Sequence, residues 1–211
     1  MPFTALGLHS SLLRAVKEMG FVRPTPIQGD TIPPALSGRD VLASAETGSG
    51  VEALGPTTWA DLGCGAGTFT LALADLLAAG STIHAMDRDA AALRRIPSEH
   101  KDVRITAHRG DFTNQPWPFR DLDGILMANS LHYVKDQPAF IRSCKAQMTT
   151  PGRFLIVEYD TDDANRWVPY PVGRAGLAAL FSAAGYSSIK VLNSRPSAFR
   201  RAPLYAALLT H

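Results

Sequence analysis

The sequence predicts an α/β fold in which a mostly parallel β-sheet is covered by helices on both faces. From residue 58 onward, short apolar runs alternate with segments of helical periodicity, a pattern typical of βαβ units. A glycine-rich turn directly follows the first of these runs, as in parallel sheets whose strands lead into ligand-binding loops. Too few residues separate the last two predicted strands for a crossover helix, so we expect them to pair antiparallel.

Seven strands and four helices are expected in this region. The strands are the apolar runs TWADL (58–62), TIHAMD (82–87), VRITAH (103–108), GILMAN (124–129), RFLIVEY (153–159), SIKVL (188–192) and LYAALLT (204–210). The helices between them cover residues 67–79, 90–96, 137–148 and 173–184. The predicted sheet therefore has seven strands, and the last strand is antiparallel.

Residues 1–57 are predicted to form a mainly helical extension. The apolar residues of SSLLRAVKEMG fall on one helical stripe, and a second short helix is expected to begin near Pro26. DVLASAETGSG then predicts a short buried strand that enters a glycine loop. No Pro- or Ser-rich linker precedes residues 58–211, which favours two segments that pack together.

Composition and charge exclude several classes of function. The 21 basic and 19 acidic residues leave a net charge of +2, which is too small to predict a nucleic-acid or membrane partner. Cys64 and Cys144 are far apart and the six histidines do not cluster, so neither a disulfide framework nor a metal site is expected. We expect a cytoplasmic protein, because the sequence lacks the apolar run of a membrane span and the features of a signal peptide.

The strongest functional signal is the segment DLGCGAG, which runs from Asp61 to Gly67. Its glycines let the backbone approach a ligand closely, and a helix N-terminus follows. Asp87 lies twenty residues after Gly67, where a carboxylate can accept hydrogen bonds from both hydroxyls of a ribose. The spacing is G-x-G-x-G rather than the G-x-G-x-x-G of dinucleotide sites. The pattern therefore predicts a nucleoside-type cofactor and disfavours NAD.

Further motifs follow the glycine loop, and their order along the chain is more specific for one family than any single motif. DLGCGAG and Asp87 are followed by GDF at 110–112, ANSLH at 128–132 and PGR at 151–153. Together they resemble the class I S-adenosylmethionine-dependent methyltransferases of the small-molecule type, over nearly all of residues 58–211. The resemblance implies a Rossmann-like seven-stranded sheet, S-adenosylmethionine as the cofactor and S-adenosylhomocysteine as the product.

The resemblance also implies a set of cofactor-binding residues. Asp111 would accept from the exocyclic amine of adenine, and Asn129 would contact the methionine end or only terminate its strand. Asp61 would organise the loop, contact the donor's amino group through water, or both, whereas Cys64 is expected to pack. The predicted cofactor-binding residues are Asp61, Gly63, Cys64, Gly65, Gly67, Asp87, Arg88, Asp111, Phe112 and Asn129, with no metal.

Methyl transfer requires alignment of the acceptor and exclusion of water, without a covalent enzyme intermediate. If the acceptor is a hydroxyl, a base helps. His132, just after the fourth predicted strand, is the candidate base, and the alternative is that it only packs at a helix start. Aromatic and arginine side chains in the neighbouring loops could stack on a planar substrate or bind an anionic group. The candidate substrate-binding residues are Tyr133, Arg166, Trp167, Tyr170 and Arg195.

The front segment carries a second set of motifs. GFVRPTPIQ at 20–28 and AETGSG at 45–50 resemble the Q motif and the start of the phosphate loop of DEAD-box RNA helicases. There the resemblance stops, because Val51 replaces the phosphate-binding lysine and Glu52 replaces the hydroxyl that would ligate magnesium. We therefore expect neither ATP hydrolysis nor unwinding, and we interpret the chain as a gene fusion.

The predicted function is S-adenosylmethionine-dependent methyl transfer to a small molecule by in-line displacement. The alternatives are a catalytically silent cofactor-binding chimera, or a nucleic-acid or protein methyltransferase guided by the helicase fragment. No nucleic-acid or membrane partner is expected, because the net charge is weak and the helicase core is absent. The front segment is interpreted as a lid, a homodimer interface or a remnant.

Overall fold

The structure is a computed structural model, and it divides the chain into two units, Met1–Thr47 and Gly48–His211. The residues that it describes are 2–8, 13, 51, 55–114, 116–196 and 202–211. In the first unit a 3-10 helix spans Phe3–Leu6, and Leu13 is helical. The other elements predicted for residues 1–50 lie outside the described residues.

An eight-stranded sheet forms the centre of the second unit. Its strands are β1 (Thr58–Leu62), β2 (Thr82–Asp87), β3 (Glu99–His100), β4 (Val103–Arg109), β5 (Leu122–Ala128), β6 (Met148–Tyr159), β7 (Ser188–Arg195) and β8 (Leu204–Thr210). The spatial order is β3-β4-β2-β1-β5-β6-β8-β7. The five strands β4, β2, β1, β5 and β6 run parallel, whereas β8 is antiparallel to both of its neighbours.

Four helices connect these strands. They are α1 (Thr68–Ala74), α2 (Ala90–Leu93), α3 (Gln137–Lys145) and α4 (Arg174–Ala183). Asp89 caps α2 and Asp136 caps α3, because their carboxylates accept from backbone N–H groups of the first turn. A 3-10 helix, Leu131–Tyr133, follows β5. No helix in the described part of the chain is long and apolar enough to cross a membrane.

The predicted α/β fold with an antiparallel last strand is confirmed. The predicted number of strands was wrong, because the two-residue β3 adds an antiparallel edge to β4 through the pairs Glu99–Arg104 and His100–Val103. Two polar residues carry no strand periodicity, so the sequence pattern could not reveal them. The observed helices are shorter than predicted, because beyond their ends backbone N–H groups bond to the carbonyl three residues back, as Leu76 does to Leu73 and Ile96 to Leu93.

The parallel strands bring the candidate site residues to one edge of the sheet. β1 lies between β2 and β5, so the carboxyl ends of these three strands are adjacent. Asp61 is the penultimate residue of β1, Asp87 ends β2, and Asn129 directly follows β5. Ligands of open α/β sheets bind at this edge.

A glycine in β5 makes room for the largest buried side chain of the central sheet. Gly124 pairs with Trp59 of β1, whose side chain is completely buried. A Cβ atom at position 124 would lie 2.5 Å from three carbon atoms of the Trp59 ring. The two strands can therefore pair in this register only if residue 124 has no side chain.

We expect Gly124→Ala to destabilise the fold by about 1–3 kcal/mol, because an extra methyl group overpacks a closed core. The measurement is urea unfolding. Gly55→Ala is the matched control, since a Cβ atom there would have no atom within 4 Å. Equal midpoints for the two variants would contradict the packing argument.

Candidate cofactor and acceptor site

The glycine loop after β1 is held against the end of β2 by backbone hydrogen bonds. The N–H groups of Gly63 and Cys64 both donate to the carbonyl of Met86, at 2.8 and 3.1 Å. Gly67, at the N-terminus of α1, has a φ of 86°, and a Cβ there would lie 2.8 Å from the Ile96 side chain. The loop thus needs glycine both for its conformation and for space.

Asp87 is fixed on this loop by both of its carboxylate oxygens. Oδ2 accepts from the N–H of Gly65 and Oδ1 accepts from the N–H of Asp89, each at 2.8 Å. A carboxylate oxygen has two lone pairs, so each oxygen can still accept a second hydrogen bond. Asp87 therefore offers a preoriented pair of acceptors beside the loop backbone.

Asp61 is a completely buried carboxylic acid beneath the same loop. Thr70 of α1 donates a hydrogen bond of 2.6 Å to its Oδ2, whereas Oδ1 has no hydrogen-bond partner among the described residues. Burial raises the pKa of Asp61 to about 7, the Thr70 hydrogen bond lowers it, and the negative charge of Asp87 raises it further. A cationic ligand next to Oδ1 would favour the charged form.

Asn129 supplies a second unpaired acceptor at the same edge of the sheet. Its Oδ1 is buried and has no partner in the described part of the chain. Its φ of 53° is left-handed, a conformation that asparagine tolerates better than most residues. The next residue, Ser130, donates from Oγ to the carbonyl of Leu62 at 2.6 Å, which ties the end of β5 to the glycine loop.

The turn after β4 has the acid and the aromatic residue that the GDF motif predicts. Asp111 accepts from the hydroxyl and the N–H of Thr113, and the hydroxyl bond is the main reason why its pKa lies below the usual value. Arg88 approaches Asp111 at 3.9 Å from an exposed position, so this ion pair is weak. Phe112 is buried, and its ring would contact a Cβ at Gly63.

His132 forms a buried pair with Glu158 of β6. Its Nδ1 lies 2.7 Å from Glu158 Oε2, and its backbone N–H donates to Oε1 at 3.2 Å. Both side chains are almost inaccessible to solvent, at 3% and 1% exposure. His132 is therefore far more constrained than a histidine that only packs at a helix start.

Two of the candidate acceptor residues contact His132, and two more lie in the loop after β6. The Tyr133 ring lies 4.4 Å from the His132 ring, and the N–H of Tyr170 donates to the carbonyl of His132 at 3.0 Å. Trp167 is 65% exposed, with the guanidinium of Arg166 over its ring at 5.6 Å. The loop after β6 is thus joined to the turn after β5, and it presents exposed aromatic rings.

Two further predicted residues are Arg195 and Cys64. Arg195 ends β7, where it pairs with Leu204 of β8, and its side chain lies outside the described residues. Burial raises the pKa of the Cys64 thiol, so this residue has no tendency to form a thiolate. Within the described ranges, no group of three histidine, cysteine or acidic side chains could hold a metal ion.

Sequence reasoning overlooked Glu158, Thr70 and Ser130. Glu158 could have been recognised from the sequence, because it is the only charged residue among the central apolar residues of the run RFLIVEY. A charge in the buried part of a parallel strand is rare unless it is paired. Thr70 and Ser130 could not have been recognised, since hydroxyl residues are common in helices and turns.

Comparison with known families agrees with this geometry. Residues 60–152 match a family model described as a methyltransferase domain. The matched stretch contains the glycine loop, Asp87, Asp111 and Asn129. The resemblance drawn from the motifs is therefore confirmed at the level of domain and fold.

Solved structures show the same fold over about three quarters of the chain. An S-adenosylmethionine-dependent methyltransferase from Mesorhizobium loti is 17% identical with a TM-score of 0.56, and the match covers 75% of this chain and 92% of that one. The 1,6-didemethyltoxoflavin-N1-methyltransferase of Burkholderia thailandensis, with bound S-adenosylhomocysteine, is 20% identical with a TM-score of 0.54. That match covers 74% of this chain and 71% of that one. At these identities the likeness concerns the fold alone.

The front segment is similar to helicases over a short stretch. The ATP-dependent RNA helicase SrmB of Escherichia coli is 60% identical over 48 residues, and the DEAD-box helicase CshA of Bacillus cereus is 54% identical over 48 residues. These matches cover 23% of this chain but only 11% and 9% of the helicases. The methyltransferase domain is thus preceded by a helicase-like fragment that spans about a tenth of a helicase.

We expect Asp61→Asn to stabilise the methyltransferase domain at neutral and alkaline pH. The pKa of Asp61 is about 7 in the folded protein and 3.8 in the unfolded chain. Between these pH values only the unfolded chain loses the proton, so the free energy of unfolding falls as pH rises. The advantage of the uncharged variant should therefore grow between pH 4 and 7 and then level off. Thermal unfolding across this range measures it.

Thr70→Val is the control for this prediction. It removes the hydrogen bond from Thr70 that stabilises the Asp61 carboxylate, so the destabilisation caused by Thr70→Val should increase with pH instead. A lower melting temperature for Asp61→Asn than for the unmodified protein at pH 8 would contradict the argument.

Proposed function

We propose that this chain transfers a methyl group from S-adenosylmethionine to a small-molecule acceptor by in-line displacement. The observation that carries the proposal is the position of Asp87. Two backbone N–H groups hold its carboxylate beside the glycine loop, and each oxygen can still accept another hydrogen bond. This arrangement suits a ribose with two free hydroxyls lying along the loop backbone.

The residues at the sheet edge fit the other parts of this cofactor. The unpaired buried oxygens of Asp61 and Asn129 suit an ammonium group, which donates three hydrogen bonds. Asp111 suits the exocyclic amine of an adenine, and the buried Phe112 ring lies next to it in the chain. When bound, S-adenosylmethionine supplies a methyl group that its positively charged sulfur has already activated.

A small-molecule acceptor is supported by the surroundings of His132 and by the similar structures. The exposed rings of Tyr133, Trp167 and Tyr170 can stack on a planar molecule. The similar structures include methyltransferases whose names give small molecules as substrates, a didemethyltoxoflavin and magnesium protoporphyrin IX. The net charge of +2 gives no support to a nucleic-acid acceptor.

The helicase-like fragment is proposed to have no ATPase activity. Val51 occupies the position of the phosphate-binding lysine, is completely buried, and its carbonyl accepts from Arg153 Nη1 of β6 at 3.2 Å. This residue belongs to the same unit as the methyltransferase sheet. It therefore serves packing and cannot reach a nucleotide phosphate.

We expect Asp87→Ala to weaken S-adenosylhomocysteine binding by about 10- to 100-fold, because two charge-assisted hydrogen bonds to the ribose are lost. Isothermal titration calorimetry measures the affinity. Asp136→Ala is the matched control, since it removes an aspartate that only caps α3. Unchanged affinity in Asp87→Ala, or no binding to the unmodified protein, would reject the assignment of the cofactor site.

Titration of the unmodified protein with ATP and magnesium should give no binding heat. Val51→Lys should not create an ATP site, and it should lower the melting temperature because a charged side chain would replace a buried one. ATP binding by either protein would show that the phosphate loop still functions.

A further inference from the structure

Glu158 is a buried carboxylate whose hydrogen bonds all go to one residue. It lies in the apolar part of β6 with 1% of its surface exposed. Oε2 accepts from Nδ1–H of His132 at 2.7 Å, and Oε1 accepts from the backbone N–H of the same residue at 3.2 Å. No other residue in the described part of the chain bonds to it.

The neighbour of Glu158 across the sheet does not share this carboxylate. Tyr205 of β8 is paired with Glu158 in the antiparallel register, but its hydroxyl donates to the carbonyl of Val172 at 2.8 Å. Burial, and then the charge of Glu158, raise the pKa of Tyr205. A buried histidine–carboxylate pair adds little net stability compared with an apolar pair, so stability alone is a weak explanation for the pairing of Glu158 with His132.

The pair determines which nitrogen of His132 is basic. Because the carboxylate accepts from Nδ1–H, the neutral imidazole keeps its lone pair on Nε2. Nε2 makes no hydrogen bond to any residue that the structure describes. The bond to Glu158 and the neighbouring Tyr133 ring restrict the orientation of the imidazole, and the Tyr170 N–H holds the backbone carbonyl of His132. His132 lies at the edge of the sheet that carries the glycine loop.

We propose that Glu158 is a positioning residue that keeps Nε2 of His132 unprotonated, and that the methyl acceptor is a hydroxyl compound, an alcohol or a phenol. This inference rests on the proposed function. As the acceptor oxygen bonds to the methyl carbon, the bond from that carbon to sulfur breaks and its electron pair stays on sulfur. The hydroxyl proton moves to Nε2, and water takes it up after product release.

The chemistry of the acceptor explains the need for a buried carboxylate. A neutral amine can attack with its lone pair before it loses a proton, whereas a phenol has a pKa near 10 and an alcohol a higher one. Transfer to a hydroxyl therefore forms an imidazolium in the same step. Glu158 stabilises that charge in a site with little water, as a buried carboxylate does for other catalytic histidines.

The first test determines the tautomer of His132 and needs no methyl acceptor. A long-range proton–nitrogen correlation spectrum of histidine-labelled protein, with S-adenosylhomocysteine bound, identifies the protonated nitrogen at alkaline pH. His132→Gln assigns the signal. We expect the proton on Nδ1 in the unmodified protein and on Nε2 in Glu158→Gln, whose amide can donate to Nδ1. A proton on Nε2 in the unmodified protein would overturn the proposal.

The second test identifies the acceptor class with size-matched probes. Transfer of a radiolabelled methyl group is measured with phenol and benzyl alcohol, and with their amine counterparts aniline and benzylamine. We expect transfer to the hydroxyl compounds, with about 100-fold or more lost in Glu158→Gln and His132→Gln. Transfer to the amines alone would overturn the hydroxyl assignment.

Controls separate positioning from general destabilisation. Tyr205→Phe removes a buried hydrogen bond next to Glu158, and this bond does not involve His132. We expect this variant to keep both the tautomer of His132 and the rate of methyl transfer. Glu158→Gln should have no further effect on the rate in a His132→Gln background, and an additive loss would contradict action through His132. If Glu158→Gln binds S-adenosylhomocysteine normally and its His132 tautomer is unchanged, this inference is rejected and the proposed function is not. If the unmodified protein does not bind S-adenosylhomocysteine, the proposed function itself is rejected.

Discussion

The hydrogen bond from the Gly65 N–H to Asp87 joins the two parts of the cofactor site. It connects the loop after β1 to the end of β2, next to the two bonds that the loop makes to the Met86 carbonyl. A loop in this conformation has glycine at three positions of positive φ, so it would be flexible without these bonds. The remaining site residues take their positions from the same sheet edge.

Two carboxylic acids are buried near this edge, and their surroundings separate their roles. Asp61 has a neutral partner in Thr70 and one unpaired oxygen, so burial raises its pKa and it is suited to a cationic ligand. Glu158 has both oxygens on His132, so it is suited to fix an imidazole and to stabilise its charged form. For Asp61, the raised pKa means that its ionisation at neutral pH lowers the stability of the fold.

Val51, directly after the helicase-like stretch, belongs to the unit that contains the sheet. The sequence up to residue 50 resembles the start of a helicase, and 48 residues match such proteins closely. Yet Val51, the next residue, is buried and bonded to Arg153 within the methyltransferase unit. A position that would hold a phosphate-binding lysine in a helicase thus contributes here to an apolar core.

Local patterns were enough to predict the fold class and the sheet edge where the glycine loop and Asp87 lie. Strand periodicity, the glycine spacing and Asp87 are local patterns, and a parallel sheet brings the carboxyl ends of its strands together whatever its details. The two-residue β3 escaped prediction because hydrogen bonding across the sheet, not local pattern, makes it a strand.

How His132 is held, and which groups lack partners among the described residues, can be read only from the folded chain. His132 and Glu158 are 26 residues apart and meet because β5 and β6 are parallel neighbours. The oxygens of Asp61 and Asn129 that have no partner within the described ranges can be recognised only once distant segments have been brought together. Pairing and burial depend on contacts between distant segments, and for these the linear order of residues carries no direct signal.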